Sequence, residues 1–291
     1  MKDISVKALA KINLGLDVVR KREDGYHEVR MVMQTIHLFD RLEISKNTSS
    51  EITMETNLSF LPTNENNLVY KAAKLLQDEF AIKDGVHVWL HKYIPVAAGM
   101  AGGSTDAAAV LYGMNQIFDL GLTREELMER GVKIGADVPY CIMRGTALAE
   151  GIGEKLSKLP PMVKCPVLIA KPQISVSTKF VYENLKLGSD MVHPDIDRLV
   201  ADIREKDLYK IAADMGNVLE TVTIPAYPVI ADIKDHMMEH GAVNAMMSGS
   251  GPTVFGLFDK EATAVEAYEA MKASGLAKQV YLTSIYNNAR K

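Results

Sequence analysis

The chain has 291 residues, 47% apolar and 24% charged, a globular composition that excludes a disordered or collagen-like chain and is long enough for one large domain or two ordinary ones. Lys plus Arg number 33 against 37 Asp plus Glu, and a net charge of −4 argues against a dedicated nucleic-acid binder, which carries a basic excess. The 2 cysteines, Cys141 and Cys165, are too few for a disulfide framework, and no secretory leader or membrane-spanning run is seen, so the expectation is a cytoplasmic chain.

In chain order, Ser5 to Val19 and Val29 to Ile44 read as strands. Asp24-Gly25 signals a turn between them, giving a hairpin with a polar, aromatic-tipped loop at Tyr26 and His27. Leu68, Val69, Ala72, Ala73, Leu75, Leu76 and Phe80 recur at helical spacing behind an N-cap at Asn66 or Asn67. Val86, Val88 and Leu90 share one face of a strand. Helices are expected from Ser104 to Phe118 and, capped by Thr123, from Arg124 to Val132. Past Pro160-Pro161 come a buried strand, Val167 to Ala170, and helical segments near 177–185, 194–203, 206–221 and 228–240. The last third closes with strands Ala242 to Met246 and Thr253 to Phe258, a helix capped by Asp259 that ends at Gly275, and a strand Val280 to Ile285. Strands and helices mix without strict alternation, which reads as α+β with two domains.

Pro95 to Thr105 is the most informative stretch: Pro-Val-Ala-Ala-Gly-Met-Ala-Gly-Gly-Ser-Thr, between a strand and a helix. Small residues let a backbone approach a ligand, and a helix N-terminus exposes unpaired N–H groups with a partial charge of about +0.5. Together they make an anion site, with phosphate its commonest occupant. A ligand-free glycine turn with a capping serine has the same pattern. No Gly-Lys-Ser/Thr ends the stretch, so it is not a Walker A loop, and it carries no dinucleotide fingerprint. A second glycine cluster, Met247 to Pro252, reads either as a tight hairpin or as a backbone wall against substrate or phosphates.

These segments resemble the GHMP kinase family, named for galactokinase, homoserine kinase, mevalonate kinase and phosphomevalonate kinase. Ala10-Lys11-Ile12-Asn13-Leu14 stands for its first motif, Pro95 to Thr105 for its glycine loop and Ser248 to Pro252 for its C-terminal loop. Asp24 to His27, Asn66 to Leu68, Gly135 to Pro139 and Ala149 to Glu154 narrow the likeness to one branch, whose substrate is a cytidine diphosphate-linked methylerythritol. This chain departs from the family loop at Met100-Ala101, where Leu-Gly is usual, and at Ala97-Ala98, where two glycines are usual.

The resemblance implies a two-domain fold with a ribosomal protein S5 domain 2-like N-terminal part, a ferredoxin-like C-terminal part and an active site in the cleft between them. The expected domains are 1–158 and 159–277, with the last strand, 278–291, returning to the first. It implies transfer of the ATP γ-phosphate to an alcohol, with Mg²⁺ bridging phosphate oxygens and Ser104 or Thr105 as one ligand. Asp137 matches the catalytic aspartate and Lys11 the catalytic lysine, whose ammonium keeps the carboxylate ionised and steadies developing charge. A structural ion pair is the plainer reading of those two residues. Pro95, Val96, Ala97, Ala98, Gly99, Met100, Ala101, Gly102, Gly103, Ser104 and Thr105 hold the phosphates, and Asn67 and Lys92 match positions near the ATP nucleoside. Tyr26 and Tyr182 match rings that stack on cytosine, His27 the residue that hydrogen-bonds it, and Asn13 and Thr178 polar residues lining the substrate site. Ser248, Gly249, Ser250 and Gly251 form the second loop there. Other readings are a homoserine- or mevalonate-type kinase, a non-catalytic nucleotide-binding regulator and a scaffold protein. A monomer or weak homodimer with no nucleic-acid or membrane partner is expected.

Overall fold

The computed structural model describes residues 3–188 and 191–287. The chain forms two compact units that interleave along the sequence. The first comprises residues 1–10, 39–96 and 101–143, and the second 11–38, 97–100 and 144–291. This grouping differs from the expected division at 158. Its cause is the length of two strands, β1 (Asp3–Lys21) and β2 (His27–Asn47), each crossed by the unit boundary. The turn between them is the one read at Asp24-Gly25. Arg22 N donates to the Tyr26 carbonyl at 2.8 Å, Tyr26 N to Asp24 Oδ1 at 3.1 Å, and Gly25 takes a φ of 85°.

In the first unit β2 pairs antiparallel with β4 (Gly85–His91), and β4 pairs parallel with β3 (Ile52–Thr56), a strand the sequence reading lacked. Val86, Val88 and Leu90 form the buried face of β4, as their alternation requires. The helices are α1 (Leu68–Glu79), α2 (Gly102–Ile117), α3 (Arg124–Val132) and α4 (Val138–Met143), with α2 touching the other three. Asn67 caps α1 by accepting Val69 N at 2.9 Å. Thr123 and Glu126 form a reciprocal capping box at the start of α3, a device that stabilises a helix by about 1 kcal/mol.

In the second unit β5 (Thr146–Glu150) pairs antiparallel with the first half of β2, and β6 (Lys155–Lys158) with β5. The Ala149 to Glu154 motif is their connecting turn, where Glu154 Oε2 accepts Ile152 N at 2.6 Å. A separate four-stranded antiparallel sheet holds β7 (Pro166–Lys171), β9 (Asn244–Met247), β10 (Val254–Leu257) and β11 (Gln279–Ser284) in the order β11-β7-β10-β9. Helices α9 (Val229–Glu239) and α10 (Glu261–Ser274) pack on it. That strand order and connection are the ferredoxin-like arrangement. The described part of the final segment, expected to return to the N-terminal domain, pairs as β11 with β7, and just past it Ile285 bridges to Ile36 and Tyr286 N donates to the Thr35 carbonyl at 2.9 Å, both on β2; residues 288–291 lie outside the described residues.

The remaining helices are α5 (Thr178–Asn184), α6 (Ile196–Glu205), α7 (Leu208–Ala213) and α8 (Glu220–Ala226). The helix expected over 206–221 is broken. Gly216 and Asn217 form the short strand β8, parallel to Gly15 and Leu16 of β1. Asn217 Nδ2 also donates to the carbonyls of Met247 and Gly249 at 2.9 and 2.8 Å, and this tertiary bonding outweighs local helical preference. Asp259 does not cap α10 either. Lys260 holds that position, and the Asp259 carboxylate accepts the Tyr209 hydroxyl at 2.8 Å.

Candidate active site

The glycine-rich stretch leaves β4 and enters α2 through three residues in the left-handed region: Ala97 at φ 51°, Gly99 at 70° and Ala101 at 55°. An L-residue other than glycine pays about 1–2 kcal/mol there, so the loop stores strain at both alanines. Ala101 is the N-cap, which starts α2 two residues earlier than expected. The amides of Gly102, Gly103 and Ser104 have no partner one helical turn back, and the first turn holds no acidic residue. Such a helix start, here on a 16-residue helix, is chemically suited to an anion. Ser104 is half-exposed, whereas Thr105 is buried. Pro95, Ala98 and Met100 are also buried and brace the loop from beneath, Val96 is half-buried and Ala97 is exposed. Leu68, next to Asn67 at the start of α1, reaches within 3.5 Å of where a Gly103 side chain would begin. Asn67 itself is occupied as a cap, its Nδ2 donating to the Pro62 carbonyl.

Gly99 belongs to the second unit, and several expected residues meet around it. The Lys11 ammonium, buried on β1, donates to Asn13 Oδ1 at 2.6 Å and to the Gly99 carbonyl at 3.1 Å. Ser248 Oγ donates to the same carbonyl at 2.9 Å. Asn13 Nδ2 points to Met31 Sδ at 3.5 Å, and Asn13 Oδ1 lies 3.6 Å from where a Gly249 side chain would begin. Thr178 Oγ1 and Ser250 Oγ share a hydrogen bond of 2.8 Å, and the Ser250 carbonyl accepts Thr223 Oγ1 at 3.4 Å. Gly251 needs its φ of 86° to close the loop. Gly99, the Ser248 loop and the Lys11 strand thus form one hydrogen-bonded assembly within the second unit.

A second group is aromatic. The His27 and Tyr182 rings stand 5.0 Å apart, tilted by 38°. Tyr26, next to His27 in the chain, is 60% exposed. Burial, with Lys21 nearby, holds the His27 ring below its ordinary pKa, which favours the neutral ring.

In the first unit, Lys92 is turned inward. Its ammonium binds Asp40 and, at 2.8 Å, Asp106 of α2, and all three are buried. Asp40 also accepts Tyr93 N at 2.5 Å and Ile94 N at 2.8 Å, just ahead of the glycine loop. Burial alone lowers the Lys92 pKa, but the two carboxylates outweigh it and hold the ammonium above its usual value. Burial pushes the Asp106 carboxyl well up, with Asp40 adding to the rise against Lys92. A Gly102 side chain would begin 2.9 Å from this ammonium. Lys92 therefore sets the position of the α2 N-terminus. Sequence reasoning missed Asp40, Asp106 and Asn217; the signal for the first two is an acid inside an apolar or alanine-rich run, which must be paired if buried.

Asp137 is half-buried and immediately precedes α4, where its carbonyl accepts Cys141 N at 3.1 Å. No helix among the described residues is long and apolar enough to cross a membrane.

The chain matches the GHMP kinases N terminal domain over residues 67–145 and the GHMP kinases C terminal domain over 199–277. It is 57% identical over 286 residues to 4-diphosphocytidyl-2-C-methyl-D-erythritol kinase of Lachnospira eligens, covering 98% of this chain and 99% of that one. Identity to the protein of the same name from Acetivibrio thermocellus is 51%, over 94% and 96% of the two chains. A crystal structure of 4-(cytidine 5'-diphospho)-2C-methyl-D-erythritol kinase superposes with a TM-score of 0.84 at 28% identity, over 98% of this chain and 100% of that one. Motifs, strand order and full-length similarity agree: the chain belongs to the GHMP kinase family, in the branch that these relatives form.

Proposed function

We propose that this chain phosphorylates the 2-hydroxyl of 4-diphosphocytidyl-2-C-methyl-D-erythritol with ATP, a step of the non-mevalonate route to isoprenoid precursors. The observation that carries the reading is the row of free amides at Gly102, Gly103 and Ser104, at a helix start without an acid in its first turn. The names of the high-identity relatives support the choice of acceptor.

Phosphoryl transfer is chiefly positioning and charge stabilisation. The first-turn amides of α2 hold the phosphate oxygens, and Lys92 with Asp40 and Asp106 holds that helix start in place. Asp137 accepts the proton of a tertiary hydroxyl, for which orientation counts as much as basicity. Lys11 fixes the Gly99 carbonyl and places a cation beside the glycine loop. A bound Mg²⁺ would neutralise phosphate charge, and the half-exposed Ser104 hydroxyl suits that hard ion better than the buried Thr105. Tyr26 and Tyr182 stack on the cytosine while neutral His27 hydrogen-bonds it.

The test is ADP release measured over a panel of acceptors that includes the cytidine diphosphate substrate, mevalonate and homoserine. Turnover with the first alone is expected, and turnover with mevalonate or homoserine instead would reverse the assignment. Asp137→Ala is expected to lower turnover by about 10²–10⁴-fold while ATP still binds.

A further inference from the structure

The end of α9 brings an imidazole, a carboxylate and a second imidazole together: His236, Glu239 and His240. One donor atom from each lies within 4.8 Å of the others. The spacing places His236 beside Glu239 and His240, three and four positions on, and His240 is the capping residue that ends α9. The two rings stand 4.2 Å apart, tilted by 36°.

Three observations favour a cation over simple packing. Nε2 of His236 is buried and lacks a hydrogen-bond partner among the described residues. Leaving such an atom unsatisfied is costly, and a coordinate bond to its lone pair removes the cost. Nδ1 of His240 lies 2.8 Å from the His236 carbonyl oxygen. A carbonyl only accepts, so Nδ1 carries the proton and, in the neutral ring, Nε2 of His240 keeps its lone pair. Metal-bound histidines are commonly oriented by such a bond to a backbone carbonyl. The cluster also sits at the carbonyl end of α9, where the helix carries partial negative charge.

We propose that His236, Glu239 and His240 bind a first-row transition cation of the zinc class. Two imidazoles and a carboxylate are a three-ligand set that leaves one position for water. The set is poor for Mg²⁺, which takes oxygen ligands, so the two ions are sorted by chemistry. α9 packs on β9 and β10, the strands on either side of the Ser248 loop, and an ion here clamps the last helical turn before the chain enters β9.

The experiment is calorimetric titration of the full chain with ZnCl₂ in the presence of excess Mg²⁺. One equivalent is expected to bind. His236→Ala and His240→Ala should each weaken it about tenfold or more, and the double variant should lose it. Turnover of the zinc-free variants should match the parent. Stoichiometric binding retained by the double variant, through the remaining histidines, would overturn the proposal. Should a variant fail to fold by circular dichroism, electron paramagnetic resonance of the parent chain with one equivalent of Cu²⁺ decides. Coupling to two imidazole nitrogens is expected, and coupling to one or none refutes the site.

Discussion

The Cα of Gly99 stands so close to the Ser248 carbonyl oxygen that a methyl group on it would fall far inside van der Waals contact. The same residues are bonded the other way, from Ser248 Oγ to the Gly99 carbonyl. Gly99→Ala therefore meets a rigid backbone oxygen and a φ of 70° together. It should cost more than about 2 kcal/mol, whereas Ser248→Ala, which removes one hydrogen bond, should cost about 1 kcal/mol. Urea denaturation of both variants checks the order, and a wild-type midpoint for Gly99→Ala would refute the contact.

Ala101 offers the opposite case. Its φ of 55° suits glycine. Ala101→Gly should relieve strain and raise stability by up to about 1 kcal/mol, with part of the gain offset by the freer unfolded chain. Ala101→Val should lower it. A fall in thermal midpoint for the glycine variant would contradict the left-handed assignment.

The Asp40–Lys92–Asp106 cluster predicts an asymmetry. Lys92→Met strands the buried Asp40 carboxylate, removes the cation that Asp106 also binds, and should cost about 3–5 kcal/mol. Asp106→Asn should be mild, because burial already favours its protonated form. The sign follows from linkage. A carboxyl raised in the folded state binds its proton more tightly there than in the unfolded chain. Its stabilising effect is thus greatest at low pH and is lost as pH climbs from the unfolded value through the folded one. Asp106→Asn should remove that decline, so chemical denaturation between pH 4 and 8 should show a flatter profile than the parent. An unchanged profile would remove Asp106 as its source.

Tyr26 is exposed. If it stacks on cytosine, Tyr26→Ala should raise KM for the cytidine substrate about tenfold and leave both KM for ATP and the thermal midpoint nearly unchanged. Equal losses on both ligands would assign the ring a structural part instead.

Much of this was legible in the residues because local rules applied. The Thr123 box, the Asn67 cap and the Asp24-Gly25 turn each depend on neighbours a few positions apart. The glycine turn into α2 was legible for the same reason, since glycines followed by a helix former act locally. What escaped depends on distant partners. Asp40, Lys92 and Asp106 lie 52 and 14 positions apart in turn, and only folding joins them. Resemblance assigned Lys92 to the nucleoside, while the structure turns its ammonium toward the two acids. The break at Gly216 likewise answers to β1 and to the Ser248 loop, about 200 and 30 positions away.

The length of β1 and β2 has a consequence for inheritance. Each strand lends one stretch to either compact unit, so no single cut in the gene yields a self-sufficient half. A crossover near codon 158 between distant relatives would graft a new C-terminal part onto the foreign stretch 11–38 that must pair with it. Viable chimaeras would exchange that stretch and the C-terminal part together, which ties the lysine strand and the ferredoxin-like sheet into one evolutionary unit.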